Sequence, residues 1–381
     1  MRKIVFLVAE DWYFLSHRKI LAEACLQAGW QVVVATKLGP QAPAIAAMGC
    51  VLEPIPFDRG GLNPLRDLGS LLRIIAMLIR QRPDVLHAVG MKPVLYGGIA
   101  AWAARVRGTV SALAGMGYLF TGRRPHLLVL RWLVLTALRL CIKARGGALI
   151  VQNEDDRRLV LEQRLVAPER LLLLPGSGID LKALTVTPEP PAPPVVFACV
   201  CRMLRDKGVV ELVEAARLLK ERGSPVLVRL VGGIDAQNPS SLTEAELRAW
   251  HDQGLVEWLG HQSDIAAIWR DAHGAVLPSY REGMPKALLE AEACGRPVIT
   301  TDVQGCREAI EDGVEGLLVP VRQAGPLAEA MHRLATDESL RQAMGAAARQ
   351  RAEQRFDQAV IAEEHMSLYL RLADHGSIDI A

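Results

Sequence analysis

The apolar residues in the first half of the chain occur in short continuous runs rather than in alternation with polar ones. Continuous hydrophobicity indicates strands that are covered on both faces, as in a parallel sheet with crossover helices. The runs predict strands at Lys3–Ala9, Gln31–Thr36, Val51–Ile55, Val85–His87, Thr109–Leu113, Ala148–Val151 and Arg170–Leu174. Helical stretches separate them, so this half is typical of a doubly wound α/β domain.

Five prolines between residues 188 and 194 interrupt this rhythm, and proline neither pairs inside a sheet nor continues a helix. Beyond them the pattern returns, with strands predicted at Val195–Cys201, Val226–Val231, Val256–Leu259, Ala275–Leu277, Val298–Thr300 and Leu317–Val319. We therefore predict an N-terminal domain over 1–187, a semi-rigid linker over 188–194 and a C-terminal domain over 195–356. A helix over about 357–381 is expected to pack back on the first domain.

This organisation predicts an α/β protein with two Rossmann-like, doubly wound parallel-sheet domains that face each other across a cleft. Ligands of such sheets bind at the carboxyl ends of the strands. Half of the residues are hydrophobic and 23% are charged, which excludes an intrinsically disordered chain.

Charge is divided unevenly between the two halves, although the formal net charge is only +2. Residues 1–150 carry 19 Lys and Arg against 7 Asp and Glu, a net charge of +12, which leaves −10 for residues 151–381. A basic half favours an anionic partner: nucleic acid, a membrane surface or a phosphorylated substrate.

The segment Ser279–Lys286 lies between an apolar strand and a predicted helix, which is the setting for an anion site at a helix N-terminus. Gly283 allows close approach to the backbone, and Pro285 suits a first helical turn. Glu290 follows Glu282 by about two turns, so we expect both carboxylates on one side of the helix, gripping sugar hydroxyls. The alternative is a favourable acidic first turn and a solvated glutamate.

Arg202 and Lys207 follow the first strand of the second domain, across the turn that opens a predicted helix over Val209–Leu219. Two fixed cations at a strand end can clamp a diphosphate. A solvated basic turn is the alternative.

Together these stretches resemble the retaining glycosyltransferases of family 4, which have the GT-B fold of two Rossmann-like domains. The resemblance lies in the pattern Arg202-x4-Lys207-Gly208, Val231–Gly233, Leu259–His261, Pro278–Pro285 leading to Glu290–Ile299, and Pro175–Asp180. It implies a transferase in which the catalytic residues are Arg202, Lys207 and Glu282. The implied donor-binding residues are Gly232, Gly233, His261, Ser279, Gly283, Met284, Pro285 and Glu290.

The N-terminal half departs from the commonest family pattern of a Gly-Gly turn and a later sugar-contacting histidine, so no catalytic histidine is assigned. It is similar to the bacterial branch that adds hexoses or N-acetylhexosamines to undecaprenyl-diphosphate-linked sugars. The resemblance implies a nucleotide-sugar donor, UDP-linked, and an acceptor site formed by Ser16, His17, Arg18, Gly115, Gly117 and Tyr118. Ser16, His17 and Arg18 follow the first strand at a predicted helix start, where they either touch acceptor phosphate or cap that helix.

No cofactor is expected, and no metal, since the chain has no Asp-x-Asp and no His-x3-His pair. No run of 18 uncharged apolar residues occurs, so a spanning helix is not expected. The segment Arg123–Arg145 combines leucines with cations, as an interfacial helix does, or else it is a packed crossover helix. We expect a cytoplasmic protein that is peripheral on the inner face of an anionic membrane.

Two alternative functions are considered. A GT-B sugar-nucleotide epimerase has a soluble substrate and needs no basic apolar helix. A nucleic-acid-binding protein would use the basic half, but aliphatic residues rather than aromatic stacking platforms separate its cations, so no nucleic acid is expected.

Overall fold

A computed structural model describes residues 1–57, 64–113, 135–136, 138–139, 147–236 and 238–376. The chain divides into two compact units. The N-terminal unit is Met1–Ser177 together with the segment that begins at Ala359, and the C-terminal unit is Gly178–Gln358. Among the described helices, none combines the length and hydropathy that crossing a bilayer requires.

The N-terminal unit is built on a parallel sheet with the order β3-β2-β1-β4-β5-β6-β7. Its strands are β1 (Lys3–Glu10), β2 (Gln31–Lys37), β3 (Val51–Pro54), β4 (Val85–Val89), β5 (Gly108–Leu113), β6 (Ala148–Val151) and β7 (Leu171–Leu173). Successive residues of β1 enter two different cores, with Val5 and Leu7 on one sheet face and Ile4 and Phe6 on the other. The doubly wound parallel sheet predicted from the continuous apolar runs is therefore confirmed.

Helices cover both faces of this sheet. They are α1 (Asp11–His17), α2 (Lys19–Gln27), α3 (Ala42–Ala47), α4 (Pro64–Gln81), α5 (Met91–Ala104) and α6 (Glu154–Glu162), followed much later by a C-terminal helix, Gln358–His375. That last helix packs Leu368 and Tyr369 into the core that contains Phe6. The Tyr369 hydroxyl lies 2.5 Å from Nδ1 of the fully buried His87, and burial is the main cause that lowers the pKa of His87.

The C-terminal unit has a second parallel sheet, with the order β10-β9-β8-β11-β12-β13. Its strands are β8 (Val195–Val200), β9 (Val226–Val231), β10 (Glu257–Gly260), β11 (Gly274–Leu277), β12 (Val298–Thr301) and β13 (Gly316–Val319). Its helices are α7 (Val209–Glu221), α8 (Glu244–Asp252), α9 (Ile265–Arg270), α10 (Lys286–Ala293), α11 (Cys306–Ala309), α12 (Ala324–Thr336) and α13 (Glu338–Arg355). The strand order reverses between β8 and β11, which is where open α/β sheets bind ligands.

The proline-rich segment belongs to the C-terminal unit, which begins at Gly178 rather than at residue 195. The guanidinium of Arg341 donates to both carboxylate oxygens of Glu189, at 3.0 and 2.8 Å. The buried Arg296 donates to the carbonyl of Pro188, and His273 Nε2 lies 3.0 Å from the carbonyl of Pro190. Since prolines leave their carbonyls free to accept hydrogen bonds, the segment predicted as a semi-rigid linker is fastened to this unit at three points.

Arg341→Ala should destabilise the C-terminal unit, because the Arg341 side chain is only 3% exposed and its loss leaves Glu189 without its cation. Breaking a buried ion pair from one side costs roughly 3 kcal/mol or more. Arg222→Ala is the control, since the pair of Arg222 with Glu329 is exposed and should contribute less than about 1 kcal/mol. Urea unfolding followed by tryptophan fluorescence measures both, and equal losses would contradict the anchoring role of Arg341.

Candidate functional site

The loops that follow β8 and β11 meet at the carboxyl edge of the second sheet. The carbonyl of Asp206 accepts hydrogen bonds from the Tyr280 N–H at 2.9 Å and from the Ser279 hydroxyl at 3.2 Å. Gly208 has φ of 71°, and a Cβ there would lie 2.0 Å from the carbonyl oxygen of Pro278. Only glycine permits this approach, so Gly208 sets the distance between the two loops.

Lys207 and Glu282 face each other across this junction. The Lys207 ammonium donates to Glu282 Oε1 at 2.5 Å, and both side chains are largely buried. Burial by itself lowers the pKa of Lys207, but the charge and hydrogen bond of Glu282 outweigh it and the net pKa is raised. Lys207 is therefore a positive charge held at a fixed position.

Arg202 lies just after the end of β8, five residues before Lys207. Its guanidinium donates to Asp235 Oδ2 at 2.5 Å. Asp235 is a site residue that the sequence analysis did not identify. The sequence feature that could have identified it is its position just beyond Gly232 and Gly233, at the end of the strand next to β8. The charge of Arg202 acts on the pKa of Lys207, so the two predicted cations lie near each other. Each of them is paired with a carboxylate.

Gly232 and Gly233 lie where β8, β9 and β10 end together. A Cβ on Gly232 would lie 1.8 Å from the carbonyl oxygen of Cys201, and its N–H donates to the carbonyl of Gly260 at 2.7 Å. A Cβ on Gly233 would lie 4.0 Å from Cβ of the exposed His261. A side chain on Gly232 would therefore clash with the Cys201 carbonyl, and His261 lies beside Gly233.

The segment from Ser279 to Glu290 runs from β11 into α10, which begins at Lys286 with Pro285 as its N-cap. Glu282 lies before the helix, so the expectation that helical spacing aligns it with Glu290 is wrong. The position of Glu282 comes instead from Lys207 and from its own N–H, which donates to the carbonyl of Gln304. Met284 packs against the core of this unit.

Two glutamates of α10 have different surroundings. Glu290 lies 3.4 Å from the Lys286 ammonium, and its pKa is raised chiefly by burial. Glu292 is completely buried, and neither carboxylate oxygen has a hydrogen-bond partner. Burial therefore raises the pKa of Glu292 well above that of an ordinary glutamate.

The N-terminal candidates are only partly described. Ser16 and His17 form the last turn of α1, and Arg18 is the N-cap of α2, without a side-chain capping bond. The buried Arg18 side chain donates to the carbonyl of His17 at 2.7 Å. Gly115, Gly117 and Tyr118 lie outside the described residues, as does most of Arg123–Arg145. Within the described part of the chain, no cluster of three or more His, Cys, Asp or Glu side chains is arranged to hold a metal ion.

Two family descriptions match the chain: "Glycosyl transferase 4-like" over residues 3–143 and "Glycosyl transferases group 1" over residues 187–351. The N,N'-diacetylbacillosaminyl-diphospho-undecaprenol alpha-1,3-N-acetylgalactosaminyltransferase of Campylobacter jejuni is 30% identical over 333 residues, covering 83% of this chain and 84% of the relative. The UDP-Gal:alpha-D-GlcNAc-diphosphoundecaprenol alpha-1,3-galactosyltransferase of Escherichia coli is 25% identical over 304 residues, or 75% of each chain.

Solved structures also resemble the chain along almost its whole length. Anabaena HepE in complex with UDP and glucose has a TM-score of 0.76 and 19% identity, with 97% of this chain and 99% of that chain covered. Sucrose-phosphate synthase from Thermosynechococcus elongatus has a TM-score of 0.77 and 21% identity, with 98% and 99% covered. At these identities the likeness shows a common fold.

Gly305→Ala should disturb the Glu282 loop, because a Cβ on Gly305 would lie 2.4 Å from the carbonyl oxygen of Gly283. Gly313→Ala is a matched control: the two φ angles are 77° and 82°, but a Cβ on Gly313 meets nothing within 4 Å. Backbone strain alone costs about 1 kcal/mol or more at either position. We expect Gly305→Ala to lower the free energy of unfolding by roughly 1–3 kcal/mol more than the control, from crowding. Equal free energies of unfolding for the two variants in urea would show that the loop shifts to accommodate the added Cβ without cost.

Glu292→Gln should stabilise the protein at pH 8 and change it little at pH 4. A carboxyl whose pKa is raised by folding costs stability as the pH rises from about 4.3 through its folded-state value, because the folded state holds the proton more tightly. Each unit of raised pKa corresponds to about 1.4 kcal/mol. The exposed Glu221→Gln is the control. Thermal unfolding at both pH values measures the effect, and a pH-independent difference between Glu292→Gln and the parent would refute it.

Proposed function

Because the chain belongs to the family of the group 1 and 4-like glycosyltransferases, with its GT-B fold, we propose a specific transfer reaction for it. A hexose or N-acetylhexosamine moves from a UDP-linked donor to an undecaprenyl-diphosphate-linked glycan in surface polysaccharide or glycan assembly, with retention of anomeric configuration. The Campylobacter and Escherichia relatives carry diphospho-undecaprenol acceptors in their names, and the Escherichia relative also names UDP-galactose. These names support the acceptor and the donor class.

The observation that carries this proposal is the pair of fixed cations at the switch point of the second sheet. When the anomeric carbon–oxygen bond of the donor breaks, the electron pair stays on the diphosphate oxygen, and Arg202 and Lys207 neutralise the growing charge. The acceptor hydroxyl forms the new bond to the anomeric carbon and passes its proton to an oxygen of the departing diphosphate. We propose that the diphosphate displaces Asp235 from Arg202 and shares Lys207 with Glu282.

Glu282 and Glu290 have separate tasks in this proposal. Glu282, held by Lys207, faces the sugar together with the amides of Gly283 and Met284 beside the Ser279–Pro285 loop. Glu290 accepts hydrogen bonds from the ribose hydroxyls, which replace the water that burial removes from its carboxylate. His261 and the Gly232–Gly233 turn lie along the path of the base. No metal takes part, since the leaving group has two cations.

The acceptor side of the proposal uses the N-terminal unit, with Ser16, His17 and Arg18 and with Gly115, Gly117 and Tyr118. A lipid-linked acceptor places the enzyme on the inner face of the cytoplasmic membrane, as a peripheral protein. The basic N-terminal half supports this location, because anionic lipids attract it.

Lys207→Met and Arg202→Ala should each lower kcat/KM for transfer by a factor of about 10² to 10³, the usual loss for one charge-stabilising contact. The parent should also show a UDP-sugar thermal shift that corresponds to about 2.7 kcal/mol at 100 times Kd. Lys220→Met is the control, because Lys220 is exposed and donates only to the carbonyls of Gln253 and Gly254. A nucleotide-sugar panel, followed by transfer to a lipid-linked acceptor, tests the proposal. Near-parental kcat/KM in both variants would refute the cation clamp.

A further inference from the structure

Helix α4 presents apolar side chains to solvent as well as to the core. Ile74, Met77 and Leu78 are buried on its inner face. On its outer face Leu65, Leu68, Leu72 and Ile79 are 82%, 52%, 57% and 52% exposed. Their spacing of three, four and seven residues places them on one side of the helix, and we call them the α4 stripe. A contiguous exposed apolar row of this kind marks an interaction surface.

The charges around the α4 stripe are basic. Arg66 and Arg73 are exposed on one flank of the row, whereas the one acidic residue of α4, Asp67, is paired with Lys92 at 3.1 Å. Arg80 pairs with Glu53. Trp102, 61% exposed, lies near the end of α5, which packs against α4. An apolar row beside cations and an indole suits the boundary between lipid headgroups and acyl chains.

A cavity of about 490 Å³ lies at the end of the stripe, at the amino edge of the sheet. Ile79 of the stripe lines it together with Arg82, Arg105 and Arg107. Its carboxylate, Asp84, accepts the backbone N–H of Lys3 at 2.8 Å. Arg82 and Arg105 follow two helix ends with φ of 46° and 55°, where glycine is the usual residue. Three guanidinium groups against one engaged carboxylate make the cavity suited to a phosphate group.

We infer that the α4 stripe and this arginine-lined cavity form one surface that docks on a bilayer of anionic phospholipid. The leucines enter the acyl boundary, and the cavity receives the phosphate of a headgroup. The inference rests on the proposed function, because a lipid-linked acceptor brings the enzyme to a membrane. A bilayer fits better than a second copy of the chain, since self-association would set arginines against arginines. This surface contains no residue of the segment 123–145.

The test is co-sedimentation of the full chain with vesicles of phosphatidylcholine alone or with phosphatidylglycerol added. Leu68→Gln with Leu72→Gln should weaken binding to both kinds of vesicle at least tenfold. Arg82→Asn with Arg105→Asn should weaken binding to anionic vesicles by about tenfold or more, leaving the phosphatidylcholine baseline unchanged. Asparagine tolerates a positive φ, so the backbone is kept.

Two control pairs isolate these effects. Val360→Gln with Leu370→Gln removes exposed apolar side chains from the C-terminal helix, which packs on the other face of the same sheet. Arg157→Gln with Arg158→Gln removes two exposed charges from α6. Both control pairs should bind vesicles as the parent does. All variants should keep the UDP-sugar thermal shift and transfer to a short-chain, water-soluble acceptor, which report on the proposed function independently.

Three results would overturn the inference: a parent that does not sediment with anionic vesicles, a leucine variant that sediments as the parent does, or a control pair that loses binding equally. Sedimentation velocity without lipid supplies a further check. A parent dimer that the leucine variant dissociates would identify the stripe as a self-association surface instead. If the parent shows no transfer to the water-soluble acceptor, the proposed function is refuted, whereas the vesicle-binding result is unaffected.

Discussion

The approach of Gly208 to the carbonyl of Pro278 is the constraint on which the candidate site depends. β8 and β11 are neighbours in the sheet, so the loops at their carboxyl ends emerge side by side. They can close together because one of them has no Cβ at the contact. That closure brings the Lys207 ammonium to 2.5 Å from Glu282. A buried cation and anion stabilise each other only at such a distance. The glycine therefore permits the geometry in which Glu282 raises the pKa of Lys207.

The framework behind the site is held by buried arginines that bind main-chain carbonyls. Arg296 donates to the carbonyls of Trp269 and Pro188, and Arg341 joins Glu189 to the carbonyl of Leu334. Planar guanidinium groups can satisfy several acceptors at once, which suits them to loops without regular pairing. The proline-rich segment is thereby part of the scaffold of the C-terminal unit.

The two units carry different chemistry. The C-terminal unit contains the paired charges proposed to hold a diphosphate. Its helix α10 carries Glu290, which is proposed to bind the ribose, and Glu292, which is fully buried. The N-terminal unit belongs to the basic half, and its helix α4 is apolar on both its inner and outer faces. A protein that joins a nucleotide-bound sugar to a lipid-bound acceptor needs both kinds of surface, one for phosphate and one for lipid.

The sequence alone determined the strands, the doubly wound class and the order of the motifs. Strands buried on both faces appear as continuous apolar runs, and the glycines and cations that follow them are local in the chain. Only the tertiary structure decided which charges meet: Asp235 pairs with Arg202 because β9 lies beside β8, which no local pattern specifies. The proline-rich segment was predicted to be a linker from its prolines alone. The arginines that bind its acceptors are far away in sequence, so no local pattern showed that it is anchored. In α4 the apolar residues spread over more of the helix than the core covers, so periodicity alone could not show which of them stay exposed. Packing against the sheet selected Ile74 and Leu78 for the core and left Leu68 and Leu72 outside.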